Sequence, residues 1–281
     1  MTFAPARSLA LFSCVASLTA AAAAAAGPRS IAFPSELDAV VEFGALDPLY
    51  HHVQFGRDGT EFDYVEDGGQ DVLFPFARLS MELGASRHRV IFLYQPLELE
   101  TRVTLAEPLT VDGLTFDEET PLDLGYGFPF YRLSYLYELT DRRRFDVELG
   151  ASLQIRNATI TFSSADGSAR RANRSVGPVP LLKARVRYLA RSGWFLGAEV
   201  DGFYAPVKYL NGGDSDVEGA VIDASLRGGY ELPGGPAAFL NVRWFGGGAE
   251  GTSEPDDFGD GYSENWLHFL IVSLGVEVPV L

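Results

Sequence analysis

Between positions 145 and 155 apolar and polar residues alternate without a break. Phe145, Val147, Leu149, Ala151, Leu153 and Ile155 share one parity; Asp146, Glu148, Gly150, Ser152 and Gln154 share the other. A period of two belongs to a β-strand, whose successive side chains point to opposite faces, whereas a helix needs apolar residues every three or four positions. Positions 194–204 repeat the pattern, with Trp194, Leu196, Ala198 and Val200 on one face and Glu199 and Asp201 on the other. So do 222–230, where Ile222, Ala224, Leu226 and Tyr230 oppose Asp223, Ser225 and Arg227. Similar runs lie near 37–46, 72–83, 89–105, 122–139, 178–189, 237–246 and 265–280. Beyond residue 26 no stretch sustains a 3.6-residue apolar period or reaches the length of a transmembrane helix. The chain is therefore all-β, and its runs predict about ten antiparallel strands. Pro48, Pro75, Pro129 and Pro206 blur the run ends, so eight and twelve strands also fit.

The connections alternate in length. Gly84-Ala85-Ser86 and residues 140–143, 190–193 and 233–236 make tight turns, while 47–71, 106–121, 163–175, 207–217 and 247–264 are long and polar. With 38 acidic residues against 22 basic ones, nucleic acid is excluded as a partner, since phosphate binding needs clustered cations. A hydrophobic content of 47% excludes disorder. Residues 1–26 hold one early cation, Arg7, then an apolar run ending in Ala24-Ala25-Ala26 before Gly27-Pro28. This reads as a secretory signal peptide, with 27–281 as one domain. A membrane anchor and a lipoprotein signal at Cys14 are weaker readings, the second because Phe12 is bulky for a lipobox. Cys14 is the sole cysteine, so cleavage leaves no thiol for a disulfide or a metal.

A closed soluble barrel and a membrane barrel share this alternation and differ in which face is outside. Lipid outside is favoured by the placement of aromatics around an aliphatic band. Tyr135, Tyr137, Phe145, Tyr188, Trp194 and Tyr230 flank the short turns, and Tyr204, Trp244 and Trp266 sit at the long-loop ends. The polar faces are also charge-complementary. Lys183, Arg185 and Arg187 lie on a run between one offering Asp146 and Glu148 and one offering Glu199 and Asp201. Arg78 with Glu82, Arg132 with Glu138, and Asp223 with Arg227 add mixed charge, as an enclosed lumen requires. Pairing of the 265–280 run with the 37–46 run would leave no open edge.

Over residues 36–281 the chain thus resembles small bacterial outer-membrane β-barrels as a class. The resemblance implies a closed antiparallel transmembrane barrel in the outer membrane, short turns on the periplasmic side and long loops outside. It implies outer-membrane lipid and lipopolysaccharide as partners.

Chemistry is sparse. His51 and His52 are adjacent, so on a strand they face opposite ways. His268 shares the face of Trp266 and Leu270, and His88 opens a strand beside a short turn. Ten-stranded outer-membrane proteases place an Asp pair and an Asp–His pair at the barrel top; Asp214 and Asp216, or Asp256-Asp257, mimic the first, but no Asp stands two residues from a His. A lipid A deacylase would need a Ser–His pairing for which no spacing is present. The acidic loops, 56–71 and 247–264, lack calcium-loop spacing and read as solvated. Arg170, Arg171 and Arg174 stand out in the 163–175 loop as candidates to grip lipopolysaccharide phosphates. The expectation is a barrel of structural or surface-interaction type, without metal or cofactor, its lumen filled by charge. A narrow solute channel and an outer-membrane hydrolase are the alternatives.

Overall fold

The computed structural model describes residues 36–140, 144–206, 216–253 and 259–281. The predicted signal peptide, and Asp214 and Asp256-Asp257, lie outside the described residues. In chain order the strands are β1 (Glu36–Phe55), β2 (Phe62–Asp63), β3 (Phe74–Ala85), β4 (His88–Gln95), β5 (Glu98–Thr104), β6 (Leu109–Val111), β7 (Leu114–Phe116), β8 (Pro121–Gly127), β9 (Phe130–Glu138), β10 (Phe145–Ser164), β11 (Arg170–Leu189), β12 (Trp194–Pro206), β13 (Glu218–Glu231), β14 (Ala237–Thr252) and β15 (Tyr262–Pro279).

The wall closes through antiparallel pairs in the order β1, β3, β4, β9, β10, β11, β12, β13, β14, β15 and back to β1. That is a ten-strand ring with no open edge in its body, the closure that hydrocarbon demands of a spanning sheet. The seam runs from Asp38↔Pro279 to Phe55↔Ser263, with a register shift just after Pro48. Two predicted runs, 89–105 and 122–139, are each cut in two beside Pro96 and Pro129. Proline lacks the N–H for a ladder rung, so hydrogen bonding lapses there. The frame does not slip: Gln95↔Phe130 and Glu98↔Gly127 continue one register across the breaks.

The short turns are chemically specified. Ser86 at φ 58° joins β3 to β4, and Gly234 and Gly235, both at φ 98°, join β13 to β14. At the other end the structure replaces two expected loops. Residues 106–121 contain the β6–β7 hairpin, turned by Asp112 (φ 45°) and Gly113 (φ 71°), a positive-φ pair suited to a two-residue hairpin. Residues 163–175 are mostly strand, because β10 and β11 pair up to Ser163↔Arg170.

Three long strands, β1, β10 and β15, change phase partway up. On β10, Leu149, Leu153 and Ile155 face outward at about half exposure, while Glu148, Ser152 and Gln154 are buried inside. Above Arg156 the polarity reverses: Ala158, Ile160 and Phe162 are buried inside, and Thr159, Thr161 and Ser163 face out. β1 passes from Glu42 inside and Phe43 outside to Val53 and Phe55 inside. β15 passes from Ser273 inside and Leu274 outside to Leu267, Phe269 and Ile271 inside. The lower storey is polar within and apolar without, stable only where hydrocarbon surrounds it; the upper storey has the order that water selects.

Candidate functional site

The lumen is stacked in three layers. Nearest the short turns, Phe195 of β12 and Phe239 of β14 close the floor. The wall is bare where the Phe239 ring lies: a Cβ on Gly275 would stand 2.2 Å from it, a distance no side chain tolerates. Arg187 and Arg227 lay their guanidinium groups over Phe195 and Phe239 at 4.5 and 5.0 Å. Glu231 and Glu277 hold Arg187 at 2.7 and 3.2 Å.

The middle layer is ionic. Arg132 of β9 contacts Asp201 at 2.9 Å and Asp223 at 2.8 Å, and Arg78 of β3 reaches Asp223 at 3.2 Å. Arg243 of β14 also bonds Asp223 and approaches Glu42 at 3.7 Å. Lys183 sits between Glu199 (2.8 Å) and Asp201 (2.7 Å), with Arg227 at 4.0 Å from Glu199. Arg185 contacts Glu82 at 2.7 Å and Glu148 at 3.8 Å, while Arg89 bonds Glu148 at 2.9 Å. Neutral groups complete the shell. Gln154 accepts from Arg132, Asn241 and Ser273 donate to Glu42, and Ser152 donates to Asp201. Glu138 and Asp146 stand beside the short turns, Asp146 opposite Arg187 in the register.

Several of these contacts are chords. Arg78 and Glu199, 3.8 Å apart, project from β3 and β12, five places apart in the ten-strand ring. Arg132 to Asp223 and Arg185 to Glu82 span four places each. Charges from opposing walls thus meet on the axis, and Arg132, Arg243, Asp201 and Asp223 retain 1% exposure or less. Adjacent strands also pair, Lys183 with Glu199 and Asp201 and Arg185 with Glu148, so the layer joins neighbours along the wall as well as opposing walls across the lumen. Glu42, Arg89 and Arg243 also belong to the layer, beyond the residues expected from the sequence. Glu42 between Val41 and Phe43, and Arg243 between Val242 and Trp244, carried the usable signal: a charge flanked by two apolar residues on a strand.

The top layer is apolar, so the expected charged lining extends through only the lower part of the lumen. Leu46, Phe55, Leu99, Leu122, Tyr126 and Phe162 pack there with Phe62 and Tyr64 from the first long loop and with Val111 and Phe116 from β6–β7. His51 is fully buried among them, stacked on Tyr64 with its Nδ1 at 2.8 Å from Gln70 Oε1. His52 points the other way and lies 3.4 Å from Asp63, a His–Asp pair that only the β1–β2 register creates. The second oxygen of Asp63 accepts from the amides of Val65 and Glu66, so the pair caps a turn. His268 stacks on Trp244 at the outer face, and His88 lies 2.7 Å from the Tyr135 hydroxyl.

Arg170, Arg171 and Arg174 are on β11 and do not form a loop cluster. The register with β10 places Arg171 on the inward parity of Phe162 and Ile160, whereas Arg170 and Arg174 share the outward parity of exposed Val176 and Leu182.

No family model matches the sequence, and no curated protein matches it. Among solved structures the chain is similar to the outer membrane protease OmpT from Escherichia coli, with 10% identity over 89% of this chain and 99% of that one, at a TM-score of 0.48. It is similar to a Pseudomonas aeruginosa FadL homologue, with 9% identity over 91% and 93% at 0.39. It is similar to Ail, the attachment invasion locus protein of Yersinia pestis, with 10% identity over 86% and 99% at 0.35. No residue role transfers at such identities. The closed wall, the apolar outer face and the charged interior of the lower storey are those of a transmembrane β-barrel.

Proposed function

We propose that the protein resides in the outer membrane as a non-conducting barrel of structural or surface-interaction type. The observation that carries this reading is the set of axial chords: a solute crossing the lumen would have to break fully buried ion pairs among Arg78, Arg132, Asp201, Asp223 and Arg243. Breaking one such pair in a buried setting costs roughly 3–5 kcal/mol, and the Phe195–Phe239 floor lies beneath. Arg170 and Arg174 share the outward parity of β11, which supports the reading that their guanidinium groups meet lipopolysaccharide phosphates. Planar-bilayer recording tests the reading: the reconstituted protein should give no stable single-channel steps. Large, regular steps would promote the channel alternative.

A further inference from the structure

Where the inner faces of β10 and β11 meet the upper ends of β14 and β15, the barrel mouth holds a cavity of about 650 Å³. That volume is in the range of small-molecule sites. The tip of the β6–β7 hairpin, Asp112, borders it. Arg156, Arg170, Arg171 and Arg174 line it, and Asp112 is the one carboxylate among its described lining residues. This cationic balance occurs in a chain whose formal net charge is −16.

Arg156 carries the argument. It lies on the inward parity of β10, and its Nε is buried without a hydrogen-bond partner. No carboxylate among the described residues stands within ion-pair distance of it, and its guanidinium lies 5.9 Å from the Phe128 ring. The lumen cations beneath it, Arg78, Arg89, Arg132, Lys183, Arg185, Arg187, Arg227 and Arg243, all have carboxylate partners. Asn265, also lining the cavity, has a buried Oδ1 with no donor. Arg171 is steered to the same cavity by a bond from its Nε to the Asp112 carbonyl, 3.3 Å. A donor short of an anion and an acceptor short of a hydroxyl thus line one open-mouthed cavity. Uncompensated buried polar groups of this kind mark a missing partner.

We propose that the cavity binds the oxyanion group (phosphate, sulfate or carboxylate) of a small polar ligand from the outer side, with Arg156 and Arg171 on the anion and Asn265 accepting a ligand hydroxyl. The planar guanidinium fork suits two oxygens of one oxyanion. The proposal goes beyond the closed-barrel reading, and its failure would leave the conductance result untouched.

The test is calorimetric titration of the folded protein in detergent micelles with glucose 6-phosphate, with glucose as the neutral control and lipid A in mixed micelles as the lipid arm. Glucose 6-phosphate should bind, glucose should bind roughly tenfold more weakly or less, and Arg156→Gln should lower the affinity for the phosphate roughly tenfold. Arg156→Lys, which keeps the charge and loses the fork, should fall between; it replaces Arg156→Gln should that variant fail to run as a folded band. Arg102→Gln, at an exposed cation on β5 outside the cavity, should leave glucose 6-phosphate binding within about twofold. Equal binding of glucose and its phosphate, or wild-type affinity in the Arg156 variants, would overturn the proposal. So would lipid A binding that is unchanged in the Arg156 variants without any binding of glucose 6-phosphate, since that places the anion site outside the cavity.

Discussion

Asp223 answers three guanidinium groups at once, those of Arg78, Arg132 and Arg243. Asp223→Asn keeps the size and removes the charge, leaving buried cations short of a counter-ion. The loss should be roughly 3–5 kcal/mol, read as a lower temperature or urea concentration at which the compact band on an unboiled gel disappears. Arg102→Ala breaks the pair between Arg102 and Asp123, which are 67% and 43% exposed, and should cost less than about 1 kcal/mol. Equal losses from the two variants would refute the burial argument. That these charges face inward was legible from their alternation with apolar neighbours. Their partners were not, because chords join strands separated by many residues and by several places in the ring.

At the scale of one element, β10 carries the whole environment in its side-chain order. Odd positions are apolar up to Ile155 and even positions are apolar from Ala158, so the membrane boundary is written as a phase change near Arg156. Arginine substitutions along the strand should therefore give a stepped pattern. Leu153→Arg puts a cation into hydrocarbon and should cost roughly 2–4 kcal/mol. Ser163→Arg, outward in the upper storey and opposite Asp123 in the register, should stay within about 0.5 kcal/mol. Ile160→Arg, only six residues above Gln154 on the same inward face, should fail through burial of an unpaired charge in the apolar layer. A uniform response along β10 would mean that one medium surrounds its full length. The phase change was present in the sequence from Ala158 to Phe162, but a search for loops between alternating runs passes over it.

For the whole molecule the testable property is inversion of inside and outside. Leu196 and Leu226 are each 61% exposed, while Arg185 and Asp223 are buried. With Cys14 in the predicted signal peptide, single cysteines report cleanly. Cysteine at 196 should resist a water-soluble maleimide and react with a membrane-embedded one, and cysteine at 185 should react slowly with both. Rapid aqueous labelling at 185 with protection at 196 by protein would describe a soluble barrel and sink the membrane assignment. Leu196→Arg should lower stability by roughly 2–4 kcal/mol if its site is near the bilayer midplane.

Strand number, the inward and outward parity of the lower storey and the short turns followed from sequence alone, because a period of two, aromatic ends and turn residues are local properties that neighbours along the chain express. Closure of β15 on β1, the axial chords, the His52–Asp63 pair and the mouth cavity around Arg156 came only with the tertiary structure. Each depends on registers between distant strands and on which walls face each other across the lumen. The folding-in of the first long loop and of β6–β7 is the clearest case: their apolar residues have no alternation to announce them, and only the enclosed space above the ionic layer gives Phe62, Tyr64 and Phe116 somewhere to be buried.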